Sequence, residues 1–135
     1  EPVIVVDLGT AITFDVVSEE GDYLGGVIAP GINIASQALF TRTAMLPRVE
    51  LTHPKQVIGR NTISAIQSGI FFGYVGLIQS TLQRIERELG GKAKVVATGG
   101  YAHIVKEIPA IDTINPDLSL IGLRLIYEMN KIEEN

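Results

Sequence analysis

A carboxylate, a glycine and a hydroxyl lie within four residues near the start of the chain. Asp7 is followed by Leu8, Gly9 and Thr10. Hydroxyl and backbone N–H groups donate to phosphate oxygens, whereas a carboxylate repels phosphate unless a cation lies between them. The motif therefore predicts a site for a phosphate with its cation. An ordinary solvated turn is an equally good interpretation of so short a motif.

Two further motifs could contact a ligand. Thr98, Gly99 and Gly100 lie between a predicted strand and a predicted helix. Glycines there let the backbone approach a flat ligand, and a helix N-terminus favours phosphate. Thr62 begins the longest predicted helix, where capping is its simplest role, although Asn61 could cap the helix instead.

Three other polar residues receive no role in a site. Asp15 is close to Asp7 in sequence, but the alternation of the second strand could turn its side chain elsewhere. His53 lies in a proline-flanked loop and His103 on a short predicted helix. Neither histidine has a partner at metal-ligand spacing, so both are predicted to be structural or solvated.

The first site motif connects two predicted strands. Residues 3–6 form a continuous apolar run, typical of a strand buried on both faces. From Ala11 the pattern alternates, so that Ile12, Phe14 and Val16 face one way and the residues between them face the other. A glycine followed by a threonine suits a two-residue hairpin turn.

The rest of the chain alternates between strands and helices. The patterns predict strands at 23–29, 94–97 and 111–114 and helices at 32–42, 62–89 and 102–108, with a last helix from about residue 115. Three consecutive strands followed by this alternation imply an α/β fold, a mixed sheet with helices on its faces.

Glycines inside these elements indicate close contacts. Gly25 and Gly26 interrupt the third strand, where the backbone could approach a neighbour. Gly69, Gly73 and Gly76 lie inside the long helix. Each destabilises the helix by roughly 1 kcal/mol relative to alanine. They predict close packing either on the sheet or across a subunit interface.

Composition excludes several classes of protein. The 135 residues have the length of one domain, with 46% hydrophobic and 19% charged residues, enough for a core. The net charge of −4 argues against nucleic acid as a partner, and the lack of cysteine excludes disulfides. No charge occurs between Arg60 and Arg84, yet the polar residues within favour a buried or subunit-contact helix over a membrane span.

The wider motifs resemble a known family. The string Asp7-Leu-Gly-Thr-Ala-Ile-Thr-Phe-Asp15 resembles the second phosphate motif of type III pantothenate kinases, in the superfamily of actin, sugar kinases and heat-shock ATPases. Further matches follow in the family's order: Gly25-Gly26-Val-Ile-Ala-Pro30-Gly31, Gly59-Arg-Asn-Thr62 with Ile66-Gln67-Ser68-Gly69, and Thr98-Gly99-Gly100. The resemblance covers essentially the whole chain, but only the C-terminal half of the family's architecture.

The resemblance implies a fold and a reaction. Residues 1–135 would be the C-terminal ribonuclease H-like domain of a two-domain kinase whose N-terminal domain is absent. The enzyme would phosphorylate pantothenate with ATP, the first step of coenzyme A biosynthesis. The catalytic base, the Asp of an upstream Gly-x-Asp-Arg motif, does not occur here. No catalytic residue is therefore expected in this chain, and we expect the half alone to be inactive.

The resemblance also implies roles for individual residues. Asp7 would bind a monovalent cation, K⁺ or NH₄⁺. Gly9 and Thr10 would bind ATP phosphate, with Mg²⁺ accompanying the nucleotide, and the segment Thr98-Gly99-Gly100 would contact the nucleotide. Thr62 would contact pantothenate. A cytoplasmic homodimer is expected, with much of the contact on the long helix and no membrane or nucleic-acid partner.

Two alternatives remain at this stage. Family members have also been described as Bvg-type accessory transcriptional activators, although the acidic charge and the lack of a helix-turn-helix pattern argue against DNA binding by this half. Another kinase or phosphatase of the superfamily is the second alternative. The linked strings that begin at Gly59 and Ile66 favour the pantothenate enzyme.

Overall fold

The computed structural model describes residues 1–42, 51–101, 104 and 106–115. The predicted last helix and His103 lie outside these residues, as does part of the predicted helix at 102–108. The elements run in the order β1 (Val3–Leu8), β2 (Ala11–Val17), β3 (Tyr23–Pro30), α1 (Ile32–Arg42), α2 (Thr62–Leu89), β4 (Lys94–Gly99) and β5 (Thr113–Ile114).

The strands form one mixed sheet in the order β3-β2-β1-β4-β5. β2 pairs antiparallel with β1 and with β3, whereas β4 pairs parallel with β1 and with β5. The predicted α/β fold with a mixed sheet is thus confirmed. β1 and β4 each continue two residues beyond the predicted ends, because the apolar pattern stops before Asp7 and Thr98 although backbone pairing does not.

The core lies between one face of the sheet and α2. The predicted alternation of β2 is confirmed, since Ile12 and Phe14 are fully buried. On α2 the fully buried side chains that face the sheet include Phe71, Ile78 and Leu82. Burial of β1 on both faces was predicted and holds on one face only: its odd-numbered residues are half-buried.

The connection between β1 and β2 differs from the predicted turn. Gly9 and Thr10 separate the strands as expected, but neither has a positive φ, so the turn is not of the mirror-image type that two-residue hairpins favour. The last paired residues, Leu8 and Ile12, flank three residues. Gly9 N–H donates to the Ala11 carbonyl at 3.1 Å inside this turn.

The glycine pair of β3 allows the predicted close approach. A Cβ atom at Gly26 would lie 2.1 Å from the Phe14 carbonyl oxygen, a distance that no side chain tolerates. Gly25 has a φ of +116°, and the β2–β3 register shifts beside it, between Val16 and Val17. Gly25 thus lies at a bulge where the register skips Leu24, and Gly26 lets β3 lie close against β2.

Asn61, and not Thr62, caps α2. The Asn61 side-chain oxygen accepts a hydrogen bond from the Ser64 N–H at 2.8 Å, and the Ser64 hydroxyl oxygen accepts one from the Asn61 N–H at 3.2 Å. This reciprocal pair is a capping box. The N-cap interpretation of Thr62 is therefore wrong, and its hydroxyl is not required to satisfy the helix N-terminus. Gly90, with a φ of 83°, ends the helix as predicted.

The glycines of α2 do not pack on the sheet. A Cβ atom at Gly69, Gly73 or Gly76 would meet no other described atom within 4 Å, apart from the helix's own nearby backbone. All three residues are exposed. Among the described residues, the explanation of these glycines by packing within the fold is therefore wrong.

α2 is also long and apolar enough to cross a membrane by composition alone. Its 28 residues reach a mean hydropathy of 1.2 over an 18-residue window. The core helix of a soluble protein passes the same test, and α2 supplies Phe71, Ile78 and Leu82 to the core. Its length and hydropathy therefore do not distinguish between these two roles.

Substitution of Asn61 tests the cap. We expect Asn61→Ala to lower the free energy of unfolding by about 1 kcal/mol, because an N–H of the first turn loses its partner. Thr62→Val is the matched control and should change it by less than about 0.5 kcal/mol. Urea denaturation of the purified variants measures both values. Equal losses in the two variants would contradict this assignment of the cap.

Candidate functional site

One edge of the sheet carries six of the seven predicted site residues. Because β1 and β4 are parallel, their carboxyl ends meet there, with Asp7 opposite Thr98 and Leu8 opposite Gly99. The group consists of Asp7, Gly9, Thr10, Thr98, Gly99 and Gly100. The Gly100 N–H donates to the Leu8 carbonyl at 3.2 Å, which continues the contact past the end of β4.

Gly99 allows this contact to be made between backbones. Its φ is +102°, a conformation that residues with a side chain rarely adopt. A Cβ atom there would lie 2.5 Å from the Leu8 carbonyl oxygen. Gly100, by contrast, has open space around it. Of the two glycines, only Gly99 is required by the fold, and both are exposed.

The N-terminus of α1 lies against the turn at Thr10. Gly31 accepts the first hydrogen bond of α1, from the Ala35 N–H at 3.1 Å. A Cβ atom at Gly31 would lie 2.0 Å from the Thr10 carbonyl oxygen. A helix N-terminus offers free N–H groups and a partial positive charge, both of which favour anions. This feature was missed in the sequence, where Pro30-Gly31 before a helical pattern was its signal.

Two tyrosines tie the surrounding elements together. The Tyr74 hydroxyl of α2 donates to the carbonyl oxygens of Pro30 at 2.9 Å and Gly31 at 3.2 Å. Burial raises the pKa of Tyr74, so the hydroxyl remains a donor. The Tyr101 hydroxyl, just after Gly100, donates to the Asn33 side chain in the first turn of α1. The start of α1 is thereby joined to both α2 and the end of β4.

Asp7 lies half-buried in a row of polar side chains. It pairs with Thr13 on β2 and with Thr98 on β4, and the Thr98 side chain is 2% exposed. Burial raises the pKa of Asp7, and the charge of Asp15 raises it further. A carboxylate in this environment gains from a nearby cation more than a solvated carboxylate does. Asp7 therefore fits a cation ligand.

Asp15 lies on the same face of the sheet as Asp7. The expectation that strand alternation turns it elsewhere is wrong, because residues 7 and 13 are partners and residue 15 follows 13 on the same face. Asp15 Oδ1 accepts a hydrogen bond from the Tyr23 hydroxyl at 2.8 Å. This bond, followed by burial and by the charge of Asp15, raises the pKa of Tyr23.

Thr62, the seventh predicted residue, is not at this edge. It is exposed on the first turn of α2, about 18 Å along the helix axis from Tyr74, which contacts Gly31. It lines a cavity of about 910 Å³ between α1 and α2. The other residues that line this cavity are predominantly apolar and include Ile34, Ala38, Leu39, Ile66, Gly69, Gly73 and Leu77.

His53 has structural contacts. Its ring lies 4.6 Å from the Phe71 ring, and its Nε2 lies 3.0 Å from a carboxylate oxygen of Glu107. Within the described part of the chain, no group of three histidine, aspartate or glutamate side chains could hold a metal ion. A cation at Asp7 would therefore need further oxygens from backbone, water or a ligand.

The chain is similar in sequence to proteins named type III pantothenate kinase. A family model for type III pantothenate kinases matches residues 1–84. Curated proteins named type III pantothenate kinase from Dehalococcoides mccartyi (strain CBDB1) and Moorella thermoacetica are each 55% identical over 130 residues, or 96% of this chain. That alignment covers 49% of the first relative and 51% of the second. The chain thus spans about half the length of the curated relatives it matches.

A solved structure carries a different description. The crystal structure of a conserved Baf family transcriptional activator from Campylobacter jejuni superposes with a TM-score of 0.65 and 26% sequence identity. The match covers 97% of this chain and 59% of the other. The elements described above therefore occur together in an experimentally determined fold.

Gly99 and Gly100 form a matched pair for a test of the backbone contact. We expect Gly99→Ala to lower the free energy of unfolding by about 1–3 kcal/mol, because it combines a positive φ with a clash against Leu8. Gly100→Ala should change it by less than about 1 kcal/mol, since its Cβ enters open space. Thermal and urea denaturation measure the difference. Equal effects would contradict the close approach at Gly99.

Asp7→Asn tests the electrostatic cost of the carboxylate. The folded chain holds the Asp7 proton more tightly than the unfolded chain, so the stability linked to this group is present at low pH and is lost as the pH rises through the raised pKa. We therefore expect Asp7→Asn to become progressively more stable than the wild type as the pH rises from about the ordinary value of 3.8 toward neutrality. Urea denaturation across this range, without added potassium or ATP, measures it. A constant difference would refute the prediction.

Proposed function

Because the chain belongs to the type III pantothenate kinase family, we propose that it forms one half of an enzyme that transfers the γ-phosphate of ATP to pantothenate. This reaction is the first step of coenzyme A biosynthesis. The observation that carries the proposal is the meeting of the Asp7–Thr10 turn and the Thr98–Gly100 segment at one edge of the sheet. Phosphoryl transfer depends chiefly on positioning and charge neutralisation, which such an edge can supply.

The ATP phosphates would bind at the turn. Thr10 offers an exposed hydroxyl, Gly9 offers an exposed backbone, and the N-terminus of α1 adds positive partial charge beside them. Gly99 and Gly100 would face the nucleotide with their backbone. The Thr98 side chain is only 2% exposed, so it has little surface for a ligand. Thr98 would instead contribute by its packing beside Asp7, its partner on β1. Mg²⁺ would arrive with ATP.

Asp7 would hold the monovalent cation, K⁺ or NH₄⁺. When bound, the ion would supply positive charge beside the Asp7 carboxylate and so offset its repulsion of phosphate. The raised pKa of Asp7 supports this role, since the carboxylate gains more from a cation than a solvated one does. The single carboxylate cannot complete the shell of a large ion, so backbone, water or phosphate oxygens would supply the rest.

The general base would come from the N-terminal half of the enzyme. Among the described residues, Asp7 is the carboxylate at this edge and Asp15 lies farther along the same face of the sheet, and Asp7 is assigned to the cation. The family resemblance places the base in a Gly-x-Asp-Arg motif upstream. The assembled enzyme would thus have a cleft between two halves, with this chain supplying the nucleotide and cation side. We propose that the enzyme acts in the cytoplasm.

Thr62 would contact pantothenate as part of a homodimer. About 18 Å of helix separates Thr62 from Tyr74, so Thr62 lies at the far end of the cavity that both residues line. The exposed glycines of α2 and the apolar cavity beside them support a second copy packing there. Such a dimer would let Thr62 reach the pantothenate pocket of its partner.

A transcriptional activator is the alternative that the name of the Campylobacter jejuni protein favours. The relatives at 55% identity are named as kinases, whereas the activator name belongs to a match at 26% identity. The net charge of −4 also opposes association with DNA phosphates. The kinase is therefore the better-supported function.

The decisive experiment measures pantothenate phosphorylation by the two-domain enzyme. We expect ATP-dependent product formation, and we expect Thr62→Val to raise the KM for pantothenate by about tenfold while leaving the melting temperature unchanged. Thr62→Ser is the matched control, because it keeps the hydroxyl. Absence of kinase activity in the purified enzyme would refute the proposed function, and an unchanged KM would remove Thr62 from the substrate site.

A mixture of two impaired subunits tests whether Thr62 contributes to the site of the partner subunit. Subunits with Thr62→Val are combined with subunits that lack the upstream base, so that one of the two sites in a mixed dimer carries neither lesion if Thr62 acts in trans. Recovery of activity at low pantothenate would support this arrangement. No recovery from verified mixed dimers would place Thr62 in its own subunit's site.

A further inference from the structure

We propose that Tyr23 and Asp15 set the charge selectivity of the Asp7 site. By holding the Asp15 carboxylate toward β3, the Tyr23 hydroxyl leaves Asp7 as the single carboxylate that would face the cation. The inference deepens the proposed function, since it rests on a cation at Asp7. Tyr23 and Asp15 are positioning residues in this arrangement, and neither touches the substrate.

The sheet register makes Asp15 the natural second ligand. Asp7 is paired with Thr13, and Asp15 is the next residue of β2 on the same face. Diagonal neighbours of this kind have Cβ atoms about 7–8 Å apart or somewhat closer. Two carboxylates at that separation can each direct an oxygen toward one ion between them. The effect of the Asp15 charge on the pKa of Asp7 indicates that the two groups interact.

The strand order shows where the Asp15 carboxylate is held instead. β2 lies between β1 and β3, so a side chain of β2 that leans toward β3 leans away from β1. Asp15 Oδ1 accepts the Tyr23 hydroxyl at 2.8 Å, and Tyr23 is on β3. Asp15 is therefore held on the side of β2 that is farther from Asp7.

Gly26 leaves the space that this orientation needs. It is the β3 partner of Asp15, and a Cβ atom there would lie 3.3 Å from Asp15 Oδ1. The same missing side chain that allows β3 to approach Phe14 thus also makes room for the carboxylate. Tyr23 supplies the donor and Gly26 supplies the space.

The orientation matters because the number of carboxylates selects the charge of the ion. Divalent cations such as Mg²⁺, Ca²⁺ and Mn²⁺ favour sites with several carboxylate oxygens. A site with one carboxylate gains much less from a divalent ion, whose hydration is harder to replace. Withholding Asp15 is thus a way of rejecting divalent ions without excluding them by size.

Tyr23→Phe releases Asp15 and is the test. The probe is Mn²⁺, titrated into the purified 135-residue chain in buffer without K⁺ or NH₄⁺, with free Mn²⁺ measured by electron paramagnetic resonance. We expect Tyr23→Phe to bind Mn²⁺ about tenfold more tightly than the wild type, because a hydrogen bond to a charged group no longer opposes the two-carboxylate arrangement. Unchanged Mn²⁺ affinity would overturn the inference.

Double variants identify the carboxylates responsible. Tyr23→Phe with Asp15→Asn should return Mn²⁺ affinity to the wild-type level, and so should Tyr23→Phe with Asp7→Asn. Tyr23→Phe with Asp22→Asn is the matched control, since it removes an exposed carboxylate from the adjacent turn and should keep the tighter binding. Tighter binding that survives the loss of Asp7 or Asp15, or that is lost with Asp22, would overturn the inference.

A separate measurement, activation of the two-domain enzyme by potassium, tests the cation site of the proposed function. Asp7→Asn in the two-domain enzyme should abolish activation by potassium, and an unchanged potassium titration would remove the cation from Asp7. If only the selectivity inference fails, activation by potassium will still depend on Asp7. The Mn²⁺ affinity of Tyr23→Phe will then equal that of the wild type. The two results are therefore distinguishable.

Discussion

The end of β1 is a point where three backbone segments meet without room for a side chain. The segment at Gly99 contacts Leu8, and the segment at Gly31 contacts Thr10, in both cases at distances that a Cβ atom would violate. The relative positions of the turn, the end of β4 and the start of α1 are therefore set by main chain against main chain. Such contacts permit little adjustment, so they hold this candidate binding edge more firmly than flexible side chains could.

The charges at this edge work against the stability of the isolated fold. Asp7 is half-buried and near a second carboxylate, and both conditions disfavour its charged form. A fold selected for stability alone would place a neutral residue there. The arrangement becomes favourable when positive charge is supplied from outside, which connects the local electrostatics directly to the cation and nucleotide proposed above.

The fold was predictable where local periodicity determines structure. The alternation of Ile12, Phe14 and Val16 and the apolar stripe of α2 each identify one element and its buried face without knowledge of the rest. Six predicted site residues lie together because β1 pairs with β4 in parallel, and no local sequence pattern encodes this pairing. It was anticipated only through the order of motifs that the family shares.

Other features depended on details that the sequence leaves open. Asn61 and Thr62 are both good capping residues, and a shift of one residue in the start of α2 decides between them. The glycines of α2 look alike in the sequence whether they face the sheet or open space. The contact of α1 with Thr10 arises from tertiary packing, and the position of Asp15 required the strand register rather than its sequence neighbours.

The parallel pairing of β1 and β4 also determines when the site can form during folding. The antiparallel strands β1 to β3 are joined by short turns and can pair early, as soon as that segment leaves the ribosome. The contact of Leu8 with Gly99 closes a loop of roughly 90 residues, which is a slow and late event. The Gly9–Thr10 turn therefore exists before its partner at Gly99 and Gly100 arrives. The nucleotide proposed above would need both segments, so it would bind only after β4 has paired with β1 and would stabilise the completed fold and none of the partly paired forms that precede it.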